Sequence, residues 1–157
     1  EWDRIVDVNL RYVFRAVRAS VRQFLAEGNR GSIVSIGSIS GVRSSPLAAA
    51  YGAAKAGLAN LAHSVAVEYA RDGIRMNVVA CGVIATEAAR IVYEESAGLA
   101  DRVPLGRPGE PAEIGQVVAF LLSGAASYVT GQTLVADGGL LSRFPLPVPG
   151  ASPYQAG

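Results

Sequence analysis

The sequence predicts an α/β chain built on a parallel sheet. Three observations predict it. Two β-branched runs, "GSIVSIGS" and "GIRMNVVAC", are separated by a long alanine-rich helical stretch. A third such run, "QTLVADGG", follows another helical stretch. Strands that alternate with helices are joined by crossovers, and crossovers bring successive strands into parallel pairing.

The elements follow in order. In residues 1–27, Val6, Leu10, Val13, Val17, Val21 and Phe24 share one face at about 100° per residue, which predicts a helix ended by Gly28. Residues 31–38 lie between glycines and read as a buried strand. Residues 46–70 predict a long helix with Pro46 near its start, and Asp72-Gly73 then turns the chain into a second strand that runs to about Ala80. A stretch of small and mixed-polarity residues reaches Gly109. Residues 110–123 predict a third helix, with Pro111 in its first turn, where a missing N–H costs nothing. A third strand falls within 128–139. Residues 1–139 thus read as one domain. Residues 140–157, which end in "FPLPVPGASPYQAG", are expected to be a disordered proline-rich tail.

Composition excludes several function classes. The net charge of +1 gives no reason to expect nucleic acid or an acidic membrane surface as a partner. The single cysteine, Cys81, rules out an internal disulfide and multi-cysteine metal motifs, and the single histidine, His63, rules out paired-histidine ligand sets. No metal site is expected. The densest apolar run, "VVAFLL", is far short of the ~20 residues of a membrane span. The start, "EWDRIV", lacks the form of a signal peptide and also lacks an initiator Met. A cytoplasmic protein is the expectation, and the chain is expected to begin within a longer one.

Chemistry concentrates at "YGAAK". Lys55 is the only lysine in a chain whose other thirteen basic residues are arginine. Tyr51 precedes it by four residues, so the two share a helix face. Ser38 closes the first predicted strand, and ligands of parallel α/β sheets bind at the carboxyl ends of strands. The three side chains can therefore converge. A free phenol, with a pKa of about 10, is a poor acid or base at neutral pH. An ammonium ~4 Å away favours phenolate by roughly 4 kcal/mol at an effective dielectric near 20, before desolvation opposes it. That makes proton exchange with an alcohol or carbonyl feasible. On spacing alone, a packed tyrosine beside a surface lysine remains open.

The surrounding text resembles the short-chain dehydrogenase/reductase family from about Trp2 to Gly139. "WDRIVDVNLRYVF" resembles its asparagine-bearing helix, "GSIVSIGSISG" its serine strand, "YGAAKAGL" its YxxxK helix, and "IRMNVVACGVIATE" its VNxVxPGxxxT segment. "VPLGRPGEPAEIGQVVAFLLSGAASYVTGQTLVADGG" is similar to its last helix and strand. The resemblance implies a partial Rossmann-like, doubly wound parallel sheet: the last three of seven strands with their helices. It implies an oxidoreductase that interconverts a ketone and a secondary alcohol with NAD or NADP. Tyr51 would be the general acid/base, Lys55 would favour its phenolate and bind the nicotinamide ribose, Ser38 would fix the substrate oxygen, and Asn9 would hold a water. Tyr51, Lys55, Cys81, Gly82, Ile84 and Thr86 would line the cofactor. A homodimer or homotetramer through helices 1–27 and 46–70 is implied as well.

Two departures stand out. Cys81 replaces the family's proline before Gly82, which is expected to relax the loop under the nicotinamide. No two glycines of the chain are separated by a single residue, so the family's glycine-rich phosphate loop, TGxxxGxG, is not among residues 1–157. The N-terminal βαβ half is thus absent from this stretch, and the chain is expected to be inactive alone. The competing expectation is a non-catalytic fragment that serves as an association module.

Some features stay outside that site. Arg4, Arg11, Arg15, Arg18 and Arg22 form a stripe read as a solvated face with local pairs such as Asp7–Arg11. His63 reads as a surface or interface residue. The segment from Thr86 to Pro104, with Ile91, Val92, Tyr93 and Leu99, reads as a substrate lid suited to a moderately apolar ketone or alcohol. The 3-oxoacyl-thioester reductases are the subgroup the text most resembles.

Overall fold

The computed structural model describes residues 1–43, 45–87, 89 and 102–142. The lid residues Ile91, Val92, Tyr93 and Leu99 lie outside the described residues, as does the tail from Arg143 onward.

The first helical run is continuous but not uniform. It comprises α1 (Trp2–Val6), a π-helical turn (Asp7–Arg11) and α2 (Tyr12–Glu27). Gly28 ends it at φ 64°, a left-handed conformation that costs a glycine nothing. The Asn29 N–H donates to the Phe24 carbonyl at 2.9 Å, which satisfies one of the helix's last acceptors. Strand β1 (Gly31–Ser38) and strand β2 (Ile74–Cys81) pair in parallel in the register Gly31–Ile74 to Ser38–Cys81. Strand β3 (Thr133–Ala136) pairs in parallel with β2, giving the order β1-β2-β3.

The second long helix starts later than its sequence predicts. Helix α3 spans Ala49–Tyr69, not 46–70. The Ala48 N–H donates to the Ser45 carbonyl at 3.3 Å, and Leu47 sits at φ 59° with its side chain in solvent. Residues 45–48 are therefore a turn, and Pro46 lies in that turn rather than in the first helical turn.

The sheet divides two cores. On one face Ile74, Met76 and Val78 of β2 pack on Val17 and Val21 of α2 and on Leu58, Ala62 and Val65 of α3. These positions recur at helical spacing on each helix and at alternate residues on the strand. On the other face Val79 packs with Leu121 of α4 (Pro111–Leu122) and Ala126, flanked by Val34, Cys81 and Ala136. The central strand is thus covered on both faces, as a parallel strand requires. Its one fully buried polar residue, Asn77, is satisfied: its amide donates to the Val129 carbonyl at 2.9 Å and its carbonyl accepts the Gln132 N–H at 3.0 Å. Asn77 thereby fixes the entry to β3.

Both outer strands are edges in this sheet. Ile36 on β1 and Val135 on β3 are exposed. Within the π-helical turn the Asp7–Arg11 pair closes at 3.1 Å, and on α2 Arg18 lies over the Phe14 ring. His63 is exposed on α3. Among the described residues no helix is long and apolar enough to cross a membrane, and no acidic, histidine or cysteine cluster could hold a metal.

Candidate active site

The carboxyl ends of β1 and β2 carry the site. Ser38 ends β1, and its hydroxyl accepts the Ser40 N–H at 3.1 Å, capping a short 3-10 turn (Ile39–Gly41). That turn lies directly on α3. A Cβ on Gly41 would stand 2.7 Å from the Lys55 carbonyl carbon, and a Cβ on Gly52 would stand 2.8 Å from the Ser40 carbonyl oxygen. Only glycine at both positions lets the two backbones approach so closely. The approach sets the distance between Ser38 and the tyrosine helix.

Tyr51 and Lys55 occupy consecutive turns at the start of α3. The Lys55 ammonium lies 5.5 Å from the centre of the Tyr51 ring and donates to the Ile36 carbonyl at 3.0 Å. Gly31 N–H donates toward β2, and backbone groups alternate sides along a strand, so the Ile36 carbonyl faces the open edge of β1. Lys55 therefore reaches past the end of the sheet to that edge. It is half-buried, and burial holds its pKa below the usual lysine value, with the nearby Cys81 thiol opposing the shift. Among the described residues no carboxylate pairs with it.

Cys81, which replaces the family's proline, lies at the strand end. It is the last residue of β2, in register with Ser38 on one side and Ala136 on the other. Cysteine has a backbone N–H to contribute to a ladder; proline has none. Its thiol contacts the Val79 carbonyl at 3.7 Å, and burial pushes its pKa up, opposed by the Lys55 charge.

The loop beyond Cys81 is held closely. A Cβ on Gly82 would lie 2.5 Å from the Asp137 Cα, so a larger residue would push the strand ends apart. Ile84 pairs in parallel with Gly109: the Gly109 N–H donates to the Val83 carbonyl at 2.9 Å and the Gly109 carbonyl accepts the Ala85 N–H at 2.8 Å. The Thr86 hydroxyl accepts the Ala89 N–H at 3.2 Å, so it caps the next turn as well as facing solvent.

Asn9 sits in the π-helical turn, half-buried, with its amide donating to the Ile5 carbonyl at 3.0 Å. Its neighbour Leu10 fills the space left by Gly57, where a Cβ would lie 2.9 Å from the leucine Cδ2. Gly57 is two residues past Lys55, so the wide turn runs alongside the lysine. π-turns of this kind are frequent at functional sites. No side-chain hydrogen bond links Asn9, Ser38, Tyr51 and Lys55 to one another.

One feature went unread in the sequence. Arg107 forms a two-point pair with Glu113, at 2.8 Å to each carboxylate oxygen, and Glu113 also accepts the Glu110 N–H at 2.7 Å. These bonds hold the Glu113 carboxyl down to a pKa of about 2. The signal was present: glutamate three residues after the cap position, ahead of an apolar run.

Comparison with known proteins follows the same outline. The sequence profile of a family described as enoyl-(acyl carrier protein) reductase matches residues 1–141. The 3-oxoacyl-[acyl-carrier-protein] reductase FabG of Escherichia coli (strain K12) is 43% identical over 141 residues, covering 89% of this chain and 57% of the relative. The cyclohexanol dehydrogenase of Acinetobacter sp. (strain SE19) is 44% identical over 142 residues, covering 90% of this chain and 55% of the relative. A 4-hydroxyisoleucine dehydrogenase mutant, solved in complex with NADH and succinate, superposes with a TM-score of 0.85 at 31% identity, covering 90% of this chain and 60% of that one. The chain spans little more than half the length of these proteins. Fold, order of elements and identity agree, and the chain belongs to the short-chain dehydrogenase/reductase family.

Proposed function

We propose that this chain supplies the catalytic and nicotinamide-binding half of an NAD(P)-dependent oxidoreductase that interconverts a ketone and a secondary alcohol. The observation that carries the reading is the stacking of the Lys55 ammonium on Tyr51 at the carboxyl end of the sheet, 5.5 Å from the ring centre.

The residues present fit the nicotinamide end of the dinucleotide. Lys55 is a half-buried cation without a carboxylate partner among the described residues, beside a loop whose glycines admit close approach. In this reading Lys55 takes the ribose hydroxyls, and the backbone at Ile84 with the Thr86 hydroxyl takes the carboxamide or a phosphate. Cys81 and Gly82 form the floor. The glycine-rich loop that seats the pyrophosphate in this family is not among residues 1–157, so the remaining grip comes from outside this stretch. When bound, the nicotinamide supplies or receives the hydride.

The chain's own residues manage the proton. Ser38 holds the substrate oxygen by its hydroxyl. Tyr51 donates its phenolic proton to that oxygen during reduction and accepts it during oxidation. Lys55 balances the charge left on Tyr51. Asn9, in the wide turn beside α3, holds a water through which the proton is replaced. The E. coli and Acinetobacter relatives point to a 3-oxoacyl thioester or a cyclic, moderately apolar ketone as substrate. Association into a homodimer or homotetramer uses the groove of ≈480 Å³ between α2 and α3, where Phe14, Leu25 and Leu61 lie beside Arg18, Arg22 and Glu68.

The test is a spectrophotometric assay of the full-length protein with NADH and NADPH, against a 3-oxoacyl thioester and cyclohexanone. Ketone-dependent oxidation of one cofactor supports the reading. A protein that binds neither cofactor contradicts it and favours a non-catalytic association module.

A further inference from the structure

We propose that the Arg107–Glu113 pair is a positioning element for the nicotinamide-facing loop, residues 83–86, and so controls cofactor affinity without touching the cofactor. The inference rests on the reading of Ile84 and Thr86 as cofactor contacts. Arg107 grips both oxygens of Glu113, and its guanidinium also donates to the Pro108 carbonyl at 3.0 Å. Glu113 in turn accepts the Glu110 N–H at the start of α4. Residues 107–110 are thereby wrapped around the first turn of α4.

Gly109 lies inside that wrap and carries the load to the loop. It gives one hydrogen bond to Val83 and accepts one from Ala85, on either side of Ile84. A Cβ at this position would stand 3.0 Å from the Ile84 Cδ1, so the contact is already close. Ile84, Arg107, Gly109, Glu113, Ile114 and Val117 line one cavity of ≈150 Å³, so the loop, the ion pair and α4 meet at a single place. The loop is thus held to α4 through Gly109, and Gly109 is held by the ion pair.

The pair is poorly placed to serve stability alone. The side chains of Arg107 and Glu113 are 52% and 46% exposed, so solvent screens their attraction, and what the pair adds to folding comes from its two-point geometry rather than from burial. Its two-point geometry fixes direction, which a single contact would not. The carboxyl remains ionised across the working pH range because its pKa lies near 2.

The test uses the full-length protein with Glu113→Gln and Arg107→Lys. Cofactor Kd is read from dihydronicotinamide fluorescence, beside cofactor KM, kcat at saturation, the pH profile of kcat and the melting temperature. A loop freed to drift by a fraction of an ångström predicts cofactor Kd and KM raised about tenfold in Glu113→Gln, with kcat within about twofold and the pH profile unchanged. Arg107→Lys, which keeps the charge but loses the fork, should fall between wild type and Glu113→Gln. Wild-type Kd in both variants, with wild type itself active, overturns the positioning role and leaves the functional reading standing. A lowered melting temperature with kcat reduced and Kd unchanged also overturns it, since that is the mark of a structural pair. Failure of the wild-type protein to bind either cofactor removes the functional reading and this inference together.

Discussion

Gly41→Ala places one methyl group where two backbones already touch. The added Cβ would lie 2.7 Å from the Lys55 carbonyl carbon and 2.8 Å from the Ala56 nitrogen. Neither neighbour is a side chain that could rotate away. Ordinary non-bonded contact needs about 3.5 Å, so the 3-10 turn must move off α3 by roughly 0.8 Å. Ser38 begins that turn and moves with it, whereas Tyr51 and Lys55 stay on the helix. A misplacement near 1 Å at a reacting centre costs about 10²-fold in rate. Overpacking costs about 1–3 kcal/mol in stability. The assay is kcat at saturating cofactor in the full-length protein, with cofactor Kd and melting temperature measured alongside. Gly124→Ala is the control, because nothing lies within 4 Å of its added Cβ. The expected result is kcat reduced by about two orders of magnitude, Kd little changed, and a near-wild-type control. Wild-type kcat in Gly41→Ala would refute the claim that close packing of the turn on α3 sets the Ser38–Tyr51 geometry.

Other outcomes follow from the same site. Lys55→Arg keeps the charge but is too broad and planar to sit between the Ile36 carbonyl and Tyr51; kcat should fall at least about tenfold and cofactor Kd should weaken, and unchanged values of both would show that any cation suffices. Cys81 has its thiol pKa raised by burial and lowered by Lys55, with burial the larger effect, so alkylation by iodoacetamide at pH 8 should be slower than that of free cysteine and should accelerate as pH rises. Lys55→Met removes the lowering charge and should slow it further; a wild-type thiol faster than free cysteine would contradict the first expectation, and an unchanged or faster rate in Lys55→Met the second. The 157-residue chain by itself leaves the outer edge of β1 unpaired and Ile36 exposed, so light scattering should show self-association and fluorescence titration should show no micromolar binding of NADH or NADPH. A monomer with saturable binding would contradict that expectation.

Periodicity made most of the fold legible. Valines at i and i+4 in residues 1–27 and the glycine-bounded β-branched runs carried the helix and the strands, because burial of one stripe or one strand dictates those patterns. The tyrosine–lysine spacing made their juxtaposition legible, since side chains four apart on a helix share a face. The start of α3 was not legible. Leu47 adopts a left-handed backbone that a leucine seldom takes, and nothing in "SSPLAA" announces it. The π-turn at Asn9 was equally silent, since a widened turn barely disturbs the spacing of apolar residues. Glycines 41, 52 and 57 drew no reading in the sequence, and only the third dimension shows which backbone or side chain each one admits. The place of Cys81 in the ladder was silent as well, because its partner strands are distant in sequence. The Arg107–Glu113 pair crosses six residues, and its consequence for Ile84 runs through a glycine that has no side chain to mark it.

Tyr51→Phe in the full-length protein tests the central claim most directly, because it removes one oxygen and leaves the ring under Lys55. The measurement is kcat for ketone reduction at saturating cofactor, with cofactor Kd determined on the same preparation. If Tyr51 is the proton donor, kcat falls at least about 10²-fold, as expected for a lost general acid, while Kd stays close to that of wild type. A kcat within a few-fold of wild type would contradict the account and move the proton transfer to another group.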